Sequence, residues 1–175
     1  MIWIAQTNLD KFLVFNFVNL EDYGRYSVAM VVSGGFIMLS QPLTQYLHPY
    51  FTSIYNEEFF QSKYEKYSLL LTTFLYFVFL ILLLCYSSIM QFWLRDMILV
   101  ESIKELVIFF SLGNILMLNS SFLYLMQYAK GDLSFHIKVS LIVLISYGIF
   151  LYISLKLFGI NGPGYAWLLI NFIYL

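Results

Sequence analysis

The sequence predicts an all-α integral membrane protein, an antiparallel bundle of about six transmembrane helices. Three observations carry this. Hydrophobic residues make up 61% of the 175 residues and charged residues only 11%. A soluble domain holds about 45–50% apolar and about 25% charged residues, so this chain has too few polar groups to cover its apolar surface in water. The ionisable residues also come in short groups, and the gaps between groups match the roughly 20 residues that cross about 30 Å of hydrocarbon. Net charge is −1, which gives no support for nucleic-acid binding. The lone cysteine, Cys85, excludes an internal disulfide framework and a cysteine metal site.

The first candidate span, near Ile2 to Leu20, is the most polar and carries Asn8, Asp10, Lys11, Asn16 and Asn19. A carboxylate or ammonium at the centre of a membrane helix costs about 2.5–3.5 kcal/mol, so it is usually turned toward a wet or protein-lined interior. Asp10 and Lys11 are therefore candidates to line a cavity. Adjacent helical residues point about 100° apart, so one must face inward more squarely, and Asp10 is the choice. A pairing of the two near the interface is the plainer alternative. Glu21 to Arg25 reads as a very short turn, which makes its flanking spans antiparallel neighbours.

The second span covers about Tyr26 to Tyr50. Gly34, Gln41, Gln45 and His48 share one face at helical spacing. Gln41 and Gln45 are candidate cavity residues. Pro42 is expected to kink the helix, and Pro49 to end it or bend it again. Asn56 to Lys66 reads as an amphipathic loop or short surface helix. The third span, about Tyr67 to Met90, is the cleanest and is expected to face lipid. Phe92-Trp93-Leu94-Arg95-Asp96 then sets aromatic anchors beside charges, as at a membrane interface.

The fourth span runs to about Ala129. Gly113, Ser120, Tyr124 and Gln127 form a polar stripe, with Asn114 beside it, and such a stripe points into a bundle. It serves either as packing glue or as a substrate site, so Asn114 and Gln127 are candidates. Gly131 is a suitable helix stop, and Asp132 or Ser134 a cap for the next helix. The fifth span, about Phe135 to Phe158, has Lys138 and Lys156 near its ends. The glycine-rich turn Gly159 to Gly164 opens a sixth span, which stops within an apolar segment. The chain is thus expected to be one helical lobe, residues 1–175, and a piece of a longer protein.

No P-loop, His-Glu-x-x-His, Gly-x-Ser-x-Gly or dinucleotide fingerprint occurs. No catalytic residue, metal site or cofactor is expected, and the chain reads as a non-enzyme. His48 and His136 stand far apart in sequence and read first as structural histidines.

Several stretches in order resemble the polysaccharide flippases of the multidrug/oligosaccharidyl-lipid/polysaccharide exporter superfamily, the O-antigen type among them. These are Asn8-Leu9-Asp10-Lys11, Asp22-Tyr23-Gly24-Arg25-Tyr26-Ser27-Val28-Ala29, Pro42 with Pro49, Phe92-Trp93-Leu94-Arg95-Asp96, Gln127 to Asp132, and Gly159 to Ala166. Arg95 departs from the small residue usual before that aspartate. The resemblance implies the second lobe of a two-lobed, twelve-helix flippase fold, with the first lobe outside this sequence. It also implies alternating access for a lipid-linked oligosaccharide in a bacterial cytoplasmic (inner) membrane, for surface polysaccharide such as lipopolysaccharide. The loops at Lys63 and Lys130 would be cytoplasmic. Partners would be membrane lipid, the lipid-linked oligosaccharide and a coupling H+ or Na+. Lys11 would meet a diphosphate, and Asp10 would exchange the ion. A cation-coupled multidrug exporter of the same superfamily, a membrane-embedded polysaccharide polymerase and a purely structural membrane subunit are the alternatives. The short loops argue against the polymerase.

Overall fold

The computed structural model describes the backbone of residues 2–175 and the side chains of residues 8–175. It is all-helical: α1 (Ile2–Phe17), α2 (Leu20–Ile54), α3 (Phe60–Leu94), α4 (Met97–Lys130), α5 (Ser134–Phe158) and α6 (Gly162–Tyr174). A 3-10 turn, Gly159–Asn161, joins α5 to α6. Successive helices run antiparallel. Asp10 meets Tyr26 across α1 and α2, Thr72 meets Asn119 across α3 and α4, and His136 meets Tyr174 across α5 and α6.

Four helical stretches are long and apolar enough to cross a membrane: Leu20–Ile54, Phe60–Leu94, Met97–Lys130 and Ser134–Tyr174. The expectation of about six spans is thereby corrected to four among the described residues. At 1.5 Å per residue, the 16 residues of α1 reach only about 24 Å, and the 13 of α6 about 20 Å. The 35-residue α2 and α3 reach about 52 Å and extend past about 30 Å of hydrocarbon. This corrects the reading of Asn56 to Lys66. Its second half is the opening of α3, and only Tyr55 to Phe59 form the connection.

α4 is the hub. In its most apolar window 61% of residues are buried, against 11% for α3. Parallel α2 and α6 and antiparallel α3 pack on it. One apolar cluster joins Tyr26, Val107, Phe110, Tyr147, Leu151, Trp167 and Ile170. The other joins Phe36, Leu47, Phe51, Leu75, Ile115 and Phe122. Small residues permit the closest approaches. A Cβ on Gly162 would lie 2.4 Å from the Ser154 carbonyl oxygen, and one on Gly113 would lie 2.5 Å from Trp167. The outer side of α3 is exposed at Leu69, Leu70, Phe77 and Leu84, as a lipid-facing helix requires.

The turn expected at Glu21 to Arg25 is helical instead. Those residues open α2, and the break lies at Val18 and Asn19. Asn19 caps α2 by accepting from the Asp22 amide at 2.8 Å. Arg25 reaches back to Glu21 at 2.6 Å and Asp22 at 3.2 Å, so the charges that read as a loop pair along one helix face. The acidic first turn also suits the positive end of the helix dipole. α1 and α2 touch at few positions, and the main partner of α1 is α5, with Leu9 against Gly148 and Phe17 against Tyr152.

α2 continues through Pro42 and Pro49 to Ile54, so Pro49 does not end it. Inside α3 the dihedrals leave the helical region at Cys85 (φ −110°, ψ 15°), a bend that its apolar sequence does not announce. Arg95 ends α3 in the left-handed region at φ 55°, and Asp96 caps α4 by accepting from Leu99. Gly131 ends α4 at φ 80°, as expected. The Gly131 amide donates to Tyr128 and the Asp132 amide to Gln127, a Schellman stop. Asp132 then receives the Ser134 amide at 2.9 Å and its hydroxyl at 2.6 Å.

Candidate functional site

Asp10, 3% exposed, is the one buried Asp, Glu, Lys or Arg side chain among the described residues. Its position follows from the packing of α1 on α5, where Gly148 admits Leu9 at close range and brings the next residue toward the bundle interior. One carboxylate oxygen accepts the Lys11 amide at 2.8 Å, and the other accepts the Tyr26 hydroxyl at 2.7 Å. Tyr26 is itself buried, held edge-on by Phe110 with ring centroids 5.9 Å apart. Tyr147 of α5 is fully buried and close enough to Asp10 to interact with it electrostatically, and its hydroxyl has no hydrogen-bond partner. An acid, one bonded phenol and one unbonded phenol thus meet where α1, α2 and α5 converge.

This group continues into a second one. Tyr147 packs edge-on against Trp167 at 5.4 Å. The Trp167 indole donates to the Asn114 side-chain oxygen at 2.9 Å, and the Asn114 amide donates to the Ser33 carbonyl at 2.9 Å. Asn114 therefore clamps α2, α4 and α6 together. One of its amide N–H donors and its side-chain oxygen are used inside the bundle. Ser120 bonds within its own helix, to Leu116.

Of the other sequence candidates, Lys11 touches Asp10 through its backbone amide alone. Lys11 is exposed, and its ammonium donates to Asn8 at 3.2 Å. Gln41, Gln45 and Pro42 are exposed on the outer side of α2. Gln127 is half-buried near the far end of α4, and its side-chain oxygen has no partner. An apolar groove of about 610 Å³ lies elsewhere, lined by Leu112, Leu116, Phe158, Tyr165, Leu168 and Phe172.

Sequence reasoning missed Tyr26, Tyr147 and a cluster at the end that carries Lys63 and Lys130. There His48 sits 4.1 Å, ring to ring, from Tyr128, and Tyr124 lies between His48 (6.1 Å) and His136 (4.8 Å). His136 also bonds the Tyr174 hydroxyl at 3.1 Å. The histidines are distant in sequence, but parallel α2 and α4 followed by the α4–α5 hairpin bring them to one tyrosine. Such rings suit the interfacial aromatic belt. Among the described residues no group of three or more His, Cys, Asp or Glu comes together to hold a metal.

The fold and the buried acid define a class, an all-helical bundle whose four long helices can span a membrane and whose interior carries an ionisable group. No family model matches the chain, and comparison with curated proteins and with solved structures returned no match.

Proposed function

We propose that the chain is a lobe of a membrane transporter that moves a lipid-linked oligosaccharide across a bacterial cytoplasmic membrane by alternating access, with Asp10 as its ion-coupling group. The observation that supports this best is the buried Asp10–Tyr26 pair beside an unbonded Tyr147 hydroxyl. An ionisable group inside a membrane bundle is costly and marks a functional site more often than a structural one. A carboxylate there can take up or release a proton or a sodium ion, and a change in its charge alters its bond with α2. That couples the ion to the relation between α1 and α2. The substrate class comes from the resemblance of the ordered motifs from Asn8 to Ala166.

Exposed Lys11 suits contact with a diphosphate. Asn114 is bonded to Ser33 and Trp167 inside the bundle. The test is surface polysaccharide made by cells whose full-length protein carries Asp10→Asn or Lys11→Ala. Loss of export in Asp10→Asn, with the protein still in the membrane, is the expected result. Unchanged export in both variants overturns the assignment. Resistance to amphiphilic drugs without any change in polysaccharide would instead indicate the multidrug exporter.

A further inference from the structure

The outer face of α2 carries an unfilled seam. Val31, Gly34, Met38, Gln41, Gln45, His48 and Thr52 follow one another at alternating spacings of three and four, which keeps them on one side of a helix. Only His48 of this set is packed, against Tyr124 and Tyr128. Met38 is 71% exposed, Gln41, Gln45 and Thr52 are exposed, and a Cβ on Gly34 would meet nothing within 4 Å. Neither glutamine makes a side-chain hydrogen bond to any described residue. Both lie within Leu20–Ile54, a helix long and apolar enough to span a membrane. Hydrocarbon offers no partner for an amide, so another polar surface at the same depth must cover these groups.

We propose that this face is a self-association surface on which α2 of one copy packs against α2 of a second copy. Complementarity selects the occupant. Two copies share one membrane orientation, so their α2 helices run parallel and a two-fold axis sets like residues opposite each other. A glutamine amide carries both donors and an acceptor, so Gln41 and Gln45 each pair with their own counterpart. A second copy supplies those amides at the matching depth. Gly34 lets the helix axes approach, and alternating three and four spacing suits the roughly 20° left-handed crossing common in membrane bundles. The proposal concerns how the amide face is covered and does not depend on which substrate is carried.

The test is disulfide cross-linking of the full chain in lipid vesicles, with Cys85, itself exposed, replaced by serine. Gln41→Cys and Gln45→Cys are expected to give a cross-linked dimer on mild oxidation, while Leu69→Cys on the outer side of α3 gives none. Because substitution removes an amide, energy transfer between labelled chains carrying both glutamines is measured as well, with lipid dilution. The double variant Gln41→Leu/Gln45→Leu is expected to weaken that association at least about fivefold, from two interhelical amide pairs. Equal cross-linking at Leu69→Cys, cross-linking only to a different protein, or association unchanged in the double variant would each overturn the proposal.

Discussion

Replacing Asn114 by alanine tests whether the middle of the bundle is held by a polar clamp. The substitution removes the 2.9 Å bond to the Ser33 carbonyl and the 2.9 Å bond from the Trp167 indole. The two losses differ. Ser33 lies inside α2, where its carbonyl keeps a helical partner. Trp167 is 7% exposed, and its N–H would be left with nothing. Interhelical hydrogen bonds in membrane bundles average about 0.6 kcal/mol, so two give about 1.2 kcal/mol. An orphaned buried donor costs about 1–3 kcal/mol by itself. The expected destabilisation is therefore about 1–3 kcal/mol, read by unfolding in mixed micelles with increasing denaturing detergent. A cycle with Trp167→Phe separates the clamp from general packing. Phe keeps the ring contact with Tyr147 but has no donor, so the double variant should fall short of the sum by at least about 0.5 kcal/mol. A cost below about 0.5 kcal/mol for Asn114→Ala, or strict additivity with Trp167→Phe, would refute the clamp.

Further predictions follow from the glycines, the caps and the loops. Gly162→Ala should destabilise strongly, since its Cβ would sit 2.4 Å from the Ser154 backbone, whereas Gly24→Ala, with open space around it, should stabilise α2 by about 0.5–1 kcal/mol. The same unfolding assay ranks the pair. Arg95→Gly should relieve a left-handed residue at φ 55° and stabilise by up to about 1 kcal/mol; destabilisation would mean that the Arg95 side chain contributes more than the backbone strain costs. Ser134 donates two bonds to Asp132 and holds its carboxyl below the usual carboxylate range. A lowered folded value means that this stabilisation is present above the unfolded value, near pH 4, and is lost as pH falls through the folded value. Carboxyl titration by NMR should show Ser134→Ala raising the Asp132 value, and no change would remove the link.

Much of the helical order was legible because ionisable residues are scarce and sit at the ends. The left-handed stop at Gly131 followed from glycine's freedom at positive φ. The 100° offset between neighbours meant that Asp10 and Lys11 would not both face inward, but it did not say which one would. Other features were hidden for physical reasons. Glu21, Asp22 and Arg25 look like a loop by composition, but their spacing lets them neutralise one another on a helix, and Asn19 supplies the cap. The helices overrun the bilayer thickness, so polarity marks where a helix leaves the hydrocarbon and not where it stops. Pro42 and Pro49 are tolerated within α2. Tyr26 and Tyr147 were missed because the chain has 15 tyrosines, and nothing in one sequence separates a buried phenol from an interfacial one. The partnership of Asn114 with Ser33 spans 81 positions and depends on α2 and α4 packing in parallel.

The most direct test of the transport reading is a flipping assay in vesicles containing the full-length protein and a fluorescent lipid-diphosphate oligosaccharide. Movement between leaflets should respond to an imposed proton or sodium gradient, and Asp10→Asn should abolish that response while leaving the protein folded and inserted. Equal flipping by Asp10→Asn and the unaltered protein under every gradient would contradict the account.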